Sequence, residues 1–184
     1  MQLRDDAKTY GAISIVNHWV LAIGIIGLLI SGLVIAELLS GPARAPWVWW
    51  HKAFGFVAIF WIIWMEAAHR LQKVRPQPDP NYTAFELTAR KISHHFLVIG
   101  TLALAISGSF MSVFRGREID VFGWFAVPPV GEIPWIADSA NFVHTWGGYL
   151  LIAAVLAHAG AALKHHFVSR DNTLARMLGR RQHA

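Results

Sequence analysis

The chain has 184 residues, of which 55% are hydrophobic and only 15% are charged, and its mean hydropathy is +0.42. Ordinary soluble domains carry about 25% charged residues, so nine Trp and eleven Phe beside so few charges argue against a soluble protein. The sequence has no Cys, which excludes disulfides, zinc ribbons, iron–sulfur clusters, thiol catalysis and covalently attached c-type haem, because each needs a thiolate sulfur.

Four apolar stretches are long enough to cross a bilayer as helices, which takes about 20 residues. They cover about residues 13–39, 47–68, 92–114 and 142–167. Their hydrophobicity is continuous rather than alternating, which favours helices over a β-barrel. The first stretch is longer than the apolar core of a signal peptide, so we expect it to be retained. The sequence therefore predicts an all-α fold, an integral membrane four-helix bundle with four transmembrane helices in a single domain over residues 1–184.

The basic residues are unevenly distributed among the segments that flank these stretches. Twelve of the sixteen lie before the first stretch, between the second and third, or at and beyond the end of the fourth: Arg4, Lys8, Arg70, Lys73, Arg75, Arg90, Lys91, Lys164, Arg170, Arg176, Arg180 and Arg181. The opposite side holds Arg44, Lys52, Arg115 and Arg117. By the positive-inside rule, both termini are predicted to be cytoplasmic. The net charge of +5 is then a topology signal, and we expect no nucleic-acid partner.

The connection over residues 115–141 is unusually rich in aromatic residues and Pro, including Phe122, Trp124 and Trp135. It either folds onto the membrane surface as a lid or contributes to the aromatic belt that is typical of membrane interfaces. The sequence leaves both interpretations open.

Four of the ten His lie in the apolar stretches or at their ends at heights that pair. His18 lies in the first stretch, His51 opens the second, His144 opens the fourth, and His158 lies further along the fourth. An ionisable residue inside a membrane is costly and is a functional candidate by default. For any one of these residues, an interfacial or interhelical hydrogen bond is the alternative explanation.

The spacing of these histidines predicts two pairs. His144 and His158 are 14 residues apart, close to four helical turns, so their side chains leave one helix face about 21 Å apart along the axis. One metal ion cannot bridge that distance. With both termini inside, His51 matches the depth of His144 near the outer face. His18 matches the depth of His158 near the inner face.

Each pair offers only two imidazoles, whereas zinc prefers four tight ligands, and carboxylates are nearly absent from the spans. A non-covalent haem needs two axial nitrogens and an apolar slot. Small residues follow the histidines, namely Gly55, Gly147, Gly148 and Gly160. They either make room for such a ring or serve helix packing. An iron with both axial positions filled has no site for oxygen and is suited to electron transfer.

Several motifs in chain order carry a family resemblance. They are Ile15-Val16-Asn17-His18-Trp19, His51-Lys52-Ala53-Phe54-Gly55, Phe122-Gly123-Trp124-Phe125 with Pro128-Pro129, and His144 and His158 followed by residues 161–167 and 170–177. With these motifs, nearly the whole chain resembles the bacterial cytochrome b-561 family of di-haem membrane cytochromes.

The resemblance implies that two non-covalent b-type haems are bound, with His18 and His158 as axial ligands of the inner haem iron and His51 and His144 as those of the outer haem iron. It also implies a multi-pass protein of the bacterial cytoplasmic (inner) membrane that transfers electrons to or from the quinone pool. At least one family member looks to pass electrons from superoxide to ubiquinone.

Eight further residues are candidates for contacts with a quinone head group or with haem propionates: His94, His95, His165, His166, Lys52, Arg90, Lys91 and Lys164. Imidazoles near the inner surface could bind the quinone or relay its protons, since they titrate near neutral pH. The cations could pair with propionates, or simply reflect topology and snorkelling. Solvated interface residues are the alternative for all eight.

Three functions are compatible with this sequence. The first is a di-haem b-type cytochrome that exchanges electrons with quinone, with membrane lipid, quinone and an unknown electron donor as partners. The second is a haem-b membrane-anchor subunit that relays electrons for a peripheral dehydrogenase or hydrogenase. The third is a metal transporter, which the lack of intramembrane carboxylates and of interrupted helices disfavours.

Overall fold

The computed structural model describes residues 2–179, and its helices follow the apolar stretches. The helices are α1 (Ala12–Leu33), α2 (Arg44–Arg70), α3 (Ala84–Val113), α4 (Pro134–Lys164) and the short α5 (Thr173–Met177). Shorter turns are a π-helical turn after α1 (Val34–Leu38), a 3₁₀ turn before α2 (Gly41–Ala43) and a π-helical turn after α4 (His165–Ser169). The prediction of a helical membrane protein with four spanning helices is confirmed.

The four long helical segments present apolar side chains outward along their length. Ile23 is 67% exposed, Phe60 59% and Ile99 64%. Each segment is long and apolar enough to cross a membrane: Ala12–Leu38, Gly41–Arg70, Ala84–Val113 and Pro134–Ser169. These side chains fit contact with lipid, since a water-soluble protein rarely exposes contiguous apolar surface of this extent.

Two of the helices begin before the predicted spans, because their first turns extend beyond the apolar stretches. α3 begins at Ala84, eight residues before residue 92, and α4 begins at Pro134, eight residues before residue 142. The start of α3 is a capping box, in which the Glu86 N–H donates to Thr83 Oγ1 and the Thr83 N–H donates to Glu86 Oε2. Pro134 occupies the first position of α4, where its missing N–H costs nothing.

The longer helices also correct where the histidines lie. His94 and His95 do not open α3 but lie about three turns inside it, since the helix begins at Ala84. His144 lies ten residues inside α4, and His51 lies seven residues inside α2. All four side chains therefore project from well-formed helix.

The connection between α3 and α4 contains an antiparallel hairpin that the sequence analysis did not predict. Strand β1 (Ile119–Val121) pairs with β2 (Phe125–Val127), with Val121 opposite Phe125. Phe122 and Gly123 both have positive φ (57° and 72°), as a tight hairpin turn of this hand requires. Because helix α4 begins early, the loop is shorter than the predicted 115–141.

The hairpin packs on the start of α2 through Phe122. Its ring centroid lies 5.0 Å from that of Phe54 and 5.8 Å from that of Trp50. Ile119 and Val121 are 1% exposed and form a small core with Val113. The connection is therefore a folded cover over the beginning of α2, which agrees with the lid interpretation.

The internal contacts divide the chain into two compact units, and each long helix contributes a part to both. Unit 1 consists of the residues up to 20, 63–97 and those from 153 onward. Unit 2 consists of residues 21–62 and 98–152. The single domain and the cytoplasmic location of both termini stay predictions. Two of the basic residues behind the latter, Arg180 and Arg181, lie outside the described residues.

Candidate functional site

In unit 2, His51 of α2 and His144 of α4 face each other, as the spacing predicts. Their ring centroids are 6.0 Å apart and their planes are almost perpendicular, at 87°. Both side chains are half-buried. Helices that are remote in the sequence thus bring two imidazoles together.

Each of these imidazoles is held by a hydrogen bond at Nδ1. His144 Nδ1 lies 2.9 Å from the Leu104 carbonyl oxygen, which can only accept, so Nδ1 carries the proton. The Ser31 hydroxyl donates to the Leu28 carbonyl, and its oxygen accepts from His51 Nδ1 at 2.8 Å. Both rings therefore keep the Nε2 lone pair free, which is the state that a metal ligand needs.

An apolar cleft of about 570 Å³ opens beside His51 between α1 and α2. Its walls include Trp47, Trp50 and Phe54 from α2. On the α1 side, Gly24 and Gly27 have no atom within 4 Å of the position that a Cβ would take. The volume is in the range of a cofactor pocket, which is about 300–1,000 Å³.

In unit 1, the second predicted pair is also formed. The ring centroids of His18 on α1 and His158 on α4 are 6.4 Å apart, with an angle of 53° between the planes. A third imidazole, His94 of α3, lies with its centroid 5.1 Å from that of His158. The His94 Nδ1 donates to the Arg90 carbonyl at 2.7 Å.

A separate polar group lies where α4 ends, and we call it the His165 cluster: Tyr82, Glu86, Lys164, His165 and Asp171. His165 Nδ1 lies 2.6 Å from Asp171 Oδ2, and these side chains are only 13% and 9% exposed. Lys164 Nζ lies 2.8 Å from Glu86 Oε1, and His165 Nε2 lies 4.0 Å from the same oxygen. The Tyr82 ring packs 4.7 Å from the His165 ring.

The acid in this cluster is held ionised. Burial alone would raise the pKa of Asp171, but hydrogen bonds from the Thr173 hydroxyl and N–H, and from His165, lower that pKa below its ordinary value. Burial raises the pKa of the Tyr82 phenol, so Tyr82 stays a neutral donor or acceptor. The cluster therefore combines an ionised carboxylate, a neutral phenol and the His165 imidazole that bonds to the carboxylate.

The remaining sequence candidates are less well placed. His95 Nδ1 bonds to the Lys91 carbonyl at 2.7 Å, and the His166 ring packs against Phe167. Lys52 donates from Nζ to the Glu118 carbonyl next to the hairpin. Over residues 2–179, the structure gives His95, Lys91 and His166 neither a ring contact nor a hydrogen bond with either imidazole pair.

Comparison with known proteins identifies the family of this chain. The sequence profile of the family described as "Prokaryotic cytochrome b561" matches residues 9–180. The chain is 32% identical over 184 residues to "Cytochrome b561 homolog 2" of Escherichia coli (strain K12), covering 98% of this chain and 96% of the relative. The chain belongs to the prokaryotic cytochrome b561 family. It is thus a multi-pass membrane cytochrome of the bacterial inner membrane that binds b-type haem.

Two further known proteins are similar in sequence to this cytochrome. "Cytochrome b561 homolog 1" of Escherichia coli (strain K12) is 35% identical over 129 residues, covering 65% of this chain and 70% of the relative. "Probable superoxide oxidase CybB" of Yersinia pestis is 26% identical over 179 residues, covering 95% of this chain and 98% of the relative.

The residues present fit a b-type haem in both units. A metal–imidazole bond is about 2 Å long, and each ring nitrogen lies about 1 Å from its ring centre. Two imidazoles on opposite sides of one iron therefore have centroids about 6 Å apart. The observed separations are 6.0 Å for His51–His144 and 6.4 Å for His18–His158.

The partners of the imidazole rings, namely Ser31, the Leu104 carbonyl and His94, are not predicted by the sequence. Ser31 is one of several small residues in its stretch. The Leu104 carbonyl belongs to the backbone, and every residue has such a carbonyl, so the sequence does not distinguish it. His94 was assigned only to the inner surface. The one sequence feature that could indicate hydrogen-bond partners for His51 and His144 is a Ser on a neighbouring stretch: Ser31 in the first and Ser107 in the third.

We expect Gly108→Ala in this cytochrome to bind less haem per polypeptide than the wild type. A Cβ on Gly108 would lie 2.8 Å from His144 Cε1 and 3.0 Å from His144 Nδ1, so the ring must shift from the position in which it bonds to Leu104. The matched control is Gly100→Ala on the same helix, whose Cβ would meet only a Leu151 methyl at 3.4 Å. A haemochrome assay measures both, and equal haem content would contradict this reading of Gly108.

Proposed function

We propose that this cytochrome holds two b-type haems, one between His18 and His158 and the other between His51 and His144, and exchanges single electrons with the quinone pool. The observation that carries this proposal is the presence, in each unit, of two imidazoles from different helices at the ring separation of bis-imidazole iron. When bound, each haem supplies a one-electron carrier.

The chain's own residues set the axial environment. Ser31 and the Leu104 carbonyl bind the Nδ1 side of His51 and His144, so these rings can meet a metal only through Nε2. Such outer partners fix ring orientation and raise ligand basicity. Two imidazole ligands would leave a bound haem iron no open position for oxygen, which would suit electron transfer rather than oxygen binding.

The His165 cluster is the proposed site for the quinone head group. Reduction of a quinone to a quinol takes up two electrons and two protons, so the site needs a group that passes protons from the water side. His165 could pass a proton to the quinone carbonyl through Nε2, because its Nδ1 lies 2.6 Å from the Asp171 carboxylate, which holds the ring in place. His165 lies seven residues beyond His158, in the π-helical turn that directly follows α4.

Superoxide is the proposed electron source. It would lose one electron and leave as dioxygen, and two such steps would supply the electrons for one quinol. The similarity to the Yersinia pestis relative supports this source. So do the charges in unit 2 near Lys52: Lys52 and Arg117 carry two positive charges against the one negative charge of Glu118, and this net positive charge would attract a small anion.

The test is spectroscopic and begins with the purified wild-type protein in detergent. We expect a reduced-minus-oxidised spectrum typical of b-type haem, two haems per polypeptide, and two one-electron waves in a redox titration. Superoxide generated enzymatically should reduce the haems, and a short-chain ubiquinone should reoxidise them. One haem per polypeptide overturns the di-haem assignment. Haems that only a co-purifying dehydrogenase or hydrogenase reduces would indicate the anchor-subunit function.

A further inference from the structure

The two imidazole pairs differ in what supports them. In unit 2, both rings have an Nδ1 partner, Ser31 for His51 and the Leu104 carbonyl for His144. In unit 1, within residues 2–179, neither His18 nor His158 has a hydrogen bond to a ring nitrogen. A metal-bound imidazole almost always donates its second N–H to an acceptor, so the unit 1 pair lacks a partner that the unit 2 pair has.

The His94 imidazole lies beside His158, and its own hydrogen bond leaves one of its ring nitrogens available as an acceptor. The His94 Nδ1 lies 2.7 Å from the Arg90 carbonyl oxygen, which can only accept, so Nδ1 carries the proton. In a neutral imidazole the other nitrogen is then an acceptor. His94 Nε2 is therefore an acceptor next to a ring that needs one.

The distance between the rings suits this bond. Two nitrogens joined by a hydrogen bond are about 2.9 Å apart, and each lies about 1 Å from its ring centre. Imidazoles that share such a bond therefore have centroids about 5 Å apart, and the observed separation of His94 and His158 is 5.1 Å. The ring separation therefore allows a hydrogen bond from His158 Nδ1 to His94 Nε2.

We infer that His94 is a positioning residue for the unit 1 haem: it accepts a hydrogen bond from His158 Nδ1 and thereby orients that ligand and raises its basicity. The inference rests on the proposed haem between His18 and His158. A more basic axial imidazole favours ferric over ferrous iron, so His94 lowers the reduction potential of this haem.

The sequence offers a matched set of variants. His94→Phe keeps a ring of similar breadth but removes the acceptor. His94→Gln keeps an acceptor in its amide oxygen. His95→Phe is the control, because His95 makes the same bond to the carbonyl four residues earlier, Lys91, yet has no ring contact with His158.

A redox titration of each full-length variant, with haem per polypeptide measured alongside, tests the inference. In His94→Phe we expect one haem wave to shift to higher potential, by about tenfold in the ferrous-to-ferric ratio at fixed potential, or 59 mV for one electron. His94→Gln should shift much less, and His95→Phe not at all. Loss of one haem in His94→Phe but not in His94→Gln would support the same role.

Other outcomes overturn it. Unshifted waves in His94→Phe with two haems present reject the hydrogen bond while leaving the di-haem proposal intact. Equal shifts in His94→Phe and His94→Gln show that bulk, not hydrogen bonding, matters. A wild-type protein without two haems removes the proposed function and this inference together.

Discussion

Replacing His144 by alanine is expected to remove one haem and leave the other at its wild-type potential. The His51 and His144 rings face each other at 6.0 Å and belong to different helices, so on the proposed assignment each would supply one ligand to the same haem iron. His51→Ala should therefore lose the same haem. His18→Ala and His158→Ala should each lose or weaken the other, because their rings are paired in unit 1. Haem per polypeptide and the surviving redox wave measure the effect.

Double variants test the pairing itself. His51→Ala with His144→Ala removes both ligands of one iron, so it should lose no more haem than either single variant. His18→Ala with His144→Ala removes one ligand from each iron and should lose both haems. His95→Ala, which alters a histidine outside both pairs, is the control and should keep two. A double variant at His51 and His144 that loses all haem would contradict the pairing.

The pairs could be predicted from the sequence because a transmembrane helix converts residue spacing into depth. Once four apolar stretches were placed with alternating direction, a rise of 1.5 Å per residue set the height of each histidine. His51 then matched His144, and His18 matched His158, which is how the structure pairs them. No knowledge of side-chain packing was needed for that step.

Other parts of the site could not be read in this way. His94 and His95 are adjacent and differ in direction by about 100° around α3, and hydropathy does not say which of the two meets α4. The hairpin could not be predicted because its strands have three residues each, too few for a recognisable alternation of apolar and polar residues. The early start of α3 could have been predicted, since Thr83-Ala84-Phe85-Glu86 is a capping-box sequence. A prediction from hydropathy alone ends the helix where charged residues interrupt the apolar stretch.

Replacing His165 by phenylalanine is expected to slow quinone-linked reoxidation of the haems by about 100-fold, the typical contribution of a well-placed proton donor. The haem spectra should not change, because the His165 ring bonds to Asp171 rather than to either imidazole pair. Asp171→Asn should give a smaller loss, since it removes the carboxylate that accepts from His165 Nδ1 but keeps a polar partner for that ring. Stopped-flow mixing of reduced protein with a short-chain ubiquinone measures the rates.

The neighbouring residue gives the control for this experiment. His166→Phe alters an imidazole one position further along the same turn, where the ring packs against Phe167, so reoxidation should continue at the wild-type rate. If His165→Phe and wild type react equally fast with quinone, the His165 cluster is not the quinone site. Its ion pairs would then serve only to join the start of α3, through Glu86, to the end of α4, through Lys164. In that case Glu86→Gln should lower thermal stability without changing the rate of electron transfer.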